Sequence, residues 1–522
     1  MSNTLRGRLL AAIFSAGVAG GFAAPARAET LADAIALAYD SNPTLQAQRA
    51  TQRALDENYV QARSGWRPQL SLSASVNDIE TRTPRAARGG AVDTNGDGIP
   101  DTLIPIIGDG RSSRSTGNAG VNFSQPIWTG GRTAAAVSAA EADILAGREN
   151  LRRVEAQVLA TVVQAYVDVR RDQESLRIRA ENVDVLDAQL KESQARFDVG
   201  EITRTDVAQS QSRLAAAQAQ YQSAVAQLAV SRANYAAAVG QNPGELAPEP
   251  SLAYLLPGNA DDAFAVAEKY SPQLRAQQFT EQGSRARVAA ARAERMPSVS
   301  LRGTLGYTGN AQPYNSDLWS RNVQTQVSVT VPLFTGGLTS SRVRQSIERN
   351  NVDRINIETQ RRAVLQTITQ YWNQLVAARA NISSNTEQVR AAKIAAEGTH
   401  QEQQVGLRTT LDVLNAEQEL RNAELSLVSA RRDEYVAAIT VLSTMGRLEA
   451  RDLIPTVAQY DPKANFQKRR ITWGWVPWEE PIGVVDRVVA FPAIPQAADR
   501  PVEAAIAPGL QPPPAAAAVR KK

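Results

Sequence analysis

Asp412, in Arg408-Thr409-Thr410-Leu411-Asp412, stands where it could act on ions, and Asp206, in Thr203-Arg204-Thr205-Asp206, is its counterpart in an earlier copy of the same stretch. Both lie just after a Val-Gly pair, Val199-Gly200 or Val405-Gly406. A carboxylate at such a place can stabilise the amide dipoles of a helix start. Repeated by symmetry around a narrow pore, it would instead attract cations and disfavour anions. A further acidic run, Asp93-Thr94-Asn95-Gly96-Asp97-Gly98-Ile99-Pro100-Asp101, alternates oxygen side chains and has Gly sixth, as a calcium loop does. Its twelfth position is Ile104 and not Glu, so weak calcium binding competes with the favoured reading, an ordinary Asx- and Gly-rich loop.

Catalysis has little to work with. The chain has no Cys and one His, His400, which excludes thiolate chemistry, disulfides and the usual zinc sites. His400 reads as a polar surface residue, and a carboxylate-based hydrolase finds only acids scattered along helices. The chain is therefore read as no enzyme, with no cofactor. The formal charge of +4 is small for 522 residues, and its basic residues are interspersed with acidic ones, against a nucleic-acid partner.

The elements that must position these residues occur twice. Val405, Asp412 and Gly446 each lie 206 positions after Val199, Asp206 and Gly240. Earlier in each half the offset is 229, as from Pro43 to Pro272. The change places 23 extra residues between the first two strands. Those strands show period 2: Leu70, Leu72, Ala74 and Val76 alternate with Ser and Gln, and Val299 to Tyr307 repeats the pattern. Second strands around Val121 and Val327 end in Pro126-Ile-Trp-Thr-Gly-Gly131 and Pro332-Leu-Phe-Thr-Gly-Gly337. Four strands with one apolar face fit a transmembrane β-barrel, with a soluble β-hairpin domain as the competing reading, yet ~8 is the smallest membrane barrel.

From Thr133 to Phe197 and from Thr339 to Gln403 the spacing predicts one long helix per half. Leu151, Val158, Val162, Val169, Leu176 and Val183, matched by Ile357, Val364, Ile368, Leu375, Ile382 and Val389, lie on a near-heptad seam. Such a helix extends roughly 100 Å and is too polar to cross lipid, so it is read as one arm of a free-standing coiled-coil hairpin. Ala- and Gln-rich return helices, Thr205 to Val239 and Leu411 to Met445, permit close packing. Arg6, Arg8, the apolar Leu9–Phe22 and Ala26-Arg27-Ala28 read as a secretory signal. The expected divisions are a signal peptide at 1–28, a first repeat at 29–241, a linker at 242–259, a second repeat at 260–446 and a C-terminal segment at 447–522, its Pro/Ala-rich end expected to be disordered.

The doubled unit, the Thr-Gly-Gly punctuation and the run from Val405 to Gly446 resemble the TolC family of outer-membrane channel proteins, most nearly the outer-membrane components of type I protein secretion. The resemblance implies a mostly α fold with a membrane β-barrel: a homotrimer pooling its strands into a twelve-stranded barrel in outer-membrane lipid, above a twelve-helix periplasmic tunnel. It implies an exit duct served by a periplasmic adaptor and an inner-membrane transporter of ABC or RND type. A multidrug efflux channel is the alternative, and a soluble periplasmic coiled-coil adaptor a further one. By the same resemblance Val199, Gly200, Val405, Gly406 and Leu407 contact the adaptor, Arg408 facing Thr205 and Asp206 holds the gate, and Asp412 forms a selectivity ring. Two positions depart from the family pattern: Asn415 stands where a second carboxylate ring is expected, and Gln403 where an aromatic gate residue is expected.

Overall fold

The computed structural model describes residues 28–82, 89–105, 111–312, 314–454 and 457–488. The expected signal segment, apart from Ala28, and the Pro/Ala-rich end lie outside the described residues.

Both halves carry the same series of elements. The first has α1 (Leu31–Ser41), α2 (Pro43–Arg63), β1 (Gln69–Arg82), β4 (Arg111–Trp128), α3 (Arg132–Asp198) and α4 (Arg204–Val239). The second has α5 (Ala260–Tyr270), α6 (Pro272–Ala293), β5 (Ser298–Gln312), β6 (Ser320–Thr330), α7 (Leu338–Gln404) and α8 (Thr410–Met445). Both long helices have 67 residues and both return helices 36. The extra residues of the first half form a ribbon that the sequence pattern did not announce, β2 (Gly89–Val92) paired with β3 (Thr102–Pro105). No described helix is long and apolar enough to cross a membrane.

The main sheet is antiparallel in the order β1-β4-β5-β6. Its register sets Leu72, Val121, Leu305 and Val323 side by side across all four strands. Because side chains alternate between faces, the neighbouring row is Ser71, Asn122, Thr304 and Gln324. On that face Asn122 Nδ2 donates to Ser73 Oγ at 3.0 Å and Thr304 Oγ1 to Asn122 Oδ1 at 3.2 Å. The other face is uncovered: Leu72 is 78% and Val323 66% exposed.

Each Thr-Gly-Gly turns a strand into a long helix. Gly130, Gly131, Gly336 and Gly337 all have positive φ, from +60° to +87°, which costs an L side chain about 1 kcal/mol or more per residue. Part-way down the long helices lies the main core. Leu31, Ile35 and Tyr39 of α1 pack there with Leu159, Val162 and Tyr166 of α3, Tyr235 of α4 and Leu442 of α8. Glu29 is fastened to this girdle: its amide donates to Glu245 O at 2.7 Å, and its carboxylate accepts from Tyr235 Oη at 2.6 Å. Burial pushes the Tyr166 hydroxyl up to about 12, and it donates to the backbone oxygen of Ala247 at 2.6 Å.

Beyond α8 the described residues include three short helices, α9 (Ala450–Leu453), α10 (Pro462–Arg470) and α11 (Glu479–Val488). The last two were not visible as periodicity in the sequence. α11 closes the first strand-to-helix junction. The fully buried Asp486 accepts from the amides of Thr129, Gly131 and Ala134 at 2.8, 3.1 and 3.2 Å, capping α3 together with Thr129 Oγ1, which accepts from Thr133 N at 3.0 Å. Trp66 Nε1 donates to the same carboxylate at 3.3 Å. Glu479, also fully buried, pairs with Arg63 and with Arg67, the latter at 2.9 Å.

Asp486→Ala strands these donors in a buried site, where each unpaired group costs roughly 1–3 kcal/mol. The variant should melt well below wild type by circular dichroism in detergent. Glu480→Gln, which alters a pair whose carboxylate side chain is 55% exposed, should move the transition by no more than about 1 kcal/mol.

Candidate functional site

The turns that join the long and return helices are built alike. Gly200, at φ +82°, and Gly406, at φ +80°, end α3 and α7. Gly200 N donates to Phe197 O and Glu201 N to Arg196 O, both at 2.9 Å; Gly406 N to Gln403 O and Leu407 N to Glu402 O repeat this at 2.9 Å. These are the paired closing bonds of a Schellman turn, which needs a left-handed residue at its centre. Three residues past each Gly, Thr203 and Thr409 open α4 and α8 as N-caps, answered by Asp206 and Asp412 three residues on.

The geometry fixes what the acidic residues do locally. Asp412 Oδ2 accepts from Thr409 N at 3.0 Å and Thr409 Oγ1 at 2.8 Å, and no bond to Oδ1 occurs among the described residues. Those bonds, the backbone one first, with a smaller contribution from the Arg408 charge, hold the Asp412 carboxyl below the usual carboxylate range. Asp206 Oδ2 accepts an equivalent pair of bonds, from Thr203 N at 2.9 Å and Thr203 Oγ1 at 2.8 Å. Arg408 Nε donates to Glu402 Oε2 at 2.8 Å, and this partner keeps the guanidinium charged above its ordinary value. Within the single chain, then, Arg408 engages Glu402 and not Thr205 or Asp206.

Other tip residues are sorted by exposure. Val199, Val405 and Leu407 are 72–75% exposed, an apolar cluster at the end of the molecule. Gln403 is 1% exposed; its Nε2 donates to Thr410 Oγ1 at 3.3 Å, and its Oε1 is buried without a partner. His400 lies one turn from Gln404, its Nε2 and Gln404 Nε2 3.2 Å apart. Sequence reasoning missed Arg213, whose Nη2 donates to Asn415 Oδ1 at 3.0 Å and ties α4 to α8. No local pattern signals that bond, since its partners are 202 residues apart.

The Asp93 loop uses its oxygens internally. Asp93 accepts from the amides of Gly96 and Gly98 at 2.7 and 2.6 Å, and Asp101 from Thr94 N at 3.0 Å. Among the described residues no three His, Cys, Asp or Glu side chains converge as a metal site would require.

The fold agrees with comparison to known proteins. The outer membrane efflux protein family model matches residues 34–241 and 265–447. The chain belongs to this family. It is 34% identical over 453 residues to the outer membrane efflux protein BepC of Brucella suis biovar 1 (strain 1330), covering 86% of this chain and 92% of that relative. It is 27% identical to the alkaline protease secretion protein AprF of Pseudomonas aeruginosa, covering 63% of this chain and 69% of that one. Among solved structures, the outer-membrane channel OprN superposes with a TM-score of 0.67 at 21% identity, over 80% of this chain and 89% of that one. The chain is thus an outer-membrane exit duct of the TolC type, with its helices in the periplasm. Family and fold are those of channels, not of enzymes.

The lowered pKa of Asp412 makes its contribution to stability depend on pH. A carboxyl whose folded value lies below its unfolded value contributes its stabilisation above about pH 3.9, and loses it as pH falls through the folded value. Intrinsic-rate-corrected hydrogen-exchange protection in the first turn of α8 should therefore hold at neutral pH and fall only below the ordinary Asp range. Thr409→Ala should lower that protection about fivefold at pH 7, the effect of roughly 1 kcal/mol of lost capping.

Proposed function

We propose that three copies of this chain close one barrel and one tunnel, through which substrate delivered by an inner-membrane transporter and a periplasmic adaptor leaves the cell. The observation that carries this reading is the exposed row Leu72, Val121, Leu305, Val323 on a sheet whose outer strands, β1 and β6, each have an unpaired edge. An apolar face of this kind suits lipid, and an open edge does not. Pooling four strands from each copy removes the edges. Exposed apolar residues along α7, Val352, Val376 and Ile394 at 52–58%, support lateral packing against neighbouring copies.

At the tip, Val199, Gly200, Val405, Gly406 and Leu407 form the adaptor contact, and Arg408 with Thr205 and Asp206 forms the gate. The Glu402 pair then represents the alternative partner of Arg408. Asp412, repeated around the axis, supplies the cation-attracting ring. Type I protein secretion is favoured by the likeness to AprF, named for alkaline protease secretion. Efflux of small molecules is the second reading, favoured by the greater identity to BepC. The transporter is accordingly of ABC or RND type, and loss of a secreted protein against gain of drug sensitivity in a deletion strain separates the two.

Because the chain has no Cys, closure can be tested directly. Cysteines introduced in pairs, one along β1 and one along β6, should form disulfide-linked dimers and trimers on a denaturing gel; monomers alone, across the whole scan, would rule out closure between copies. In planar bilayers, Arg408→Ala combined with Asp206→Ala should raise single-channel conductance. Asp412→Ala should weaken block by multivalent cations, and block at the wild-type level would remove Asp412 from the constriction.

A further inference from the structure

The family match ends at Arg447, and the chain continues as a helical strap. From the girdle, α10 climbs the side of α2: Phe466 packs on Tyr59 with ring centroids 5.0 Å apart, and Asn465 Nδ2 donates to Asp56 Oδ2 at 2.7 Å. Arg469 pairs with Glu57 at 3.0 Å. The strap then reaches the foot of the sheet. Trp478 Nε1 donates to Gln125 Oε1, near the end of β4, at 3.4 Å, and a side chain at Gly474 would lie 3.8 Å from Arg67, two residues before β1.

The strap holds itself to the body through its acids and through Arg469 and Arg487, the latter stacked over Trp66. Its acids, Glu479, Glu480 and Asp486, are engaged by Arg63, Arg67 and the start of α3. Lys468 and Arg470 are exposed. Beside them Trp473 is fully exposed, and Trp475 and Trp478 are 38% and 49% exposed. This cluster sits where the exposed face of β1 begins, at Leu70 and Leu72, 71% and 78% exposed. It therefore lies at the periplasmic boundary of the lipid-facing band. Indole rings favour that interface for their apolar body and polar N–H, and clustered cations there attract anionic headgroups.

We propose that residues 468–478 form an interfacial anchor on the periplasmic leaflet of the outer membrane. Trp473 enters the headgroup layer, while Lys468 and Arg470 hold the phosphates of anionic phospholipids. The inference rests on the outer-membrane reading of the sheet. The chain has no Cys to carry a lipid, so this contact would fasten the base of the barrel to the bilayer without covalent acylation.

The test uses the full chain in vesicles of phosphatidylcholine, with either brominated phosphatidylcholine or brominated phosphatidylglycerol as the quencher. The measurement uses a Trp475→Phe, Trp478→Phe background, in which subtracting the emission of the further Trp473→Phe variant isolates Trp473; the remaining signal, which then contains no tryptophan of the anchor and includes Trp319 packed on Gly117 and Gly309 of the sheet, reports whether the barrel is in lipid. The Trp473 signal should be quenched more strongly by the anionic lipid. Lys468→Gln and Arg470→Gln should each lower that preference by roughly fivefold, and high salt should also reduce it. A Trp473 signal quenched by neither lipid, with the remainder quenched, would place the strap against a neighbouring copy or another protein and overturn the anchor alone. Equal quenching by both lipids would overturn the anionic recognition. An unquenched remainder would overturn the membrane reading of the sheet and the anchor with it.

Discussion

The unpaired edges of β1 and β6 are what the architecture must answer. In hydrocarbon no water satisfies a free amide or carbonyl, and each one left open costs several kcal/mol. The two edge strands are 14 and 11 residues long, far too much backbone to leave exposed. The closure through copies of the same sheet proposed above removes these edges, and it would place the four helices of each copy around the same axis as its strands. The equal lengths of α3 and α7, and of α4 and α8, are compatible with that arrangement, since a difference of one turn would change the reach of one hairpin by about 5.4 Å.

Duplication supplies geometry, but the C-terminal strap treats the halves differently. Both strand-to-helix junctions keep the same hydroxyl pair, Thr129 with Thr133 at 3.1 Å and Thr335 with Thr339 at 2.9 Å. Only the first is covered by Asp486 and Glu479. At the second, Leu333 and Phe334 are 93% and 91% exposed. A buried carboxylate is tolerated where its hydrogen bonds are all supplied, and Asp486 has five donors from Thr129, Gly131, Ala134 and Trp66. The strap thus fixes the entry angle of α3, while α7 keeps an apolar junction for its neighbours.

Much of this was legible in the sequence because it is periodic or repeated. The 206-residue offset recurs at both ends of the long and return helices. Of the seam residues, Leu151, Val158, Val162, Val169, Val364, Ile368 and Leu375 are buried, whereas Ile357 and the pairs Leu176 with Ile382 and Val183 with Val389 are only half-buried. Thr-Gly-Gly announced the junctions through a backbone requirement that few residues meet. The strap was not legible. α10 and α11 are short, and the bonds that hold them join residues more than 350 positions apart, as Asp486 with Thr129. The β2–β3 ribbon was hidden by its Gly-rich composition, which reads as loop. Arg213 was missed because a helix-to-helix bond leaves no trace in the sequence of either helix.

At the tip, capping and ion attraction by Asp412 are compatible demands. The Thr409 bonds that stabilise the helix start also keep the carboxyl ionised, which is the state an ion-attracting ring requires. They occupy Oδ2 and leave Oδ1 outside the capping box. One helical turn further, the side chain is the neutral Asn415, and it accepts from the cationic Arg213 at 3.0 Å. Where two successive carboxylates would reinforce each other, here a carboxylate is followed by an amide and a guanidinium. On the reading proposed above, an entrance lined by these residues has a less negative field, and a weaker cation preference, than two acidic rings would produce. The same bond couples α4 to α8 and so links the two hairpins.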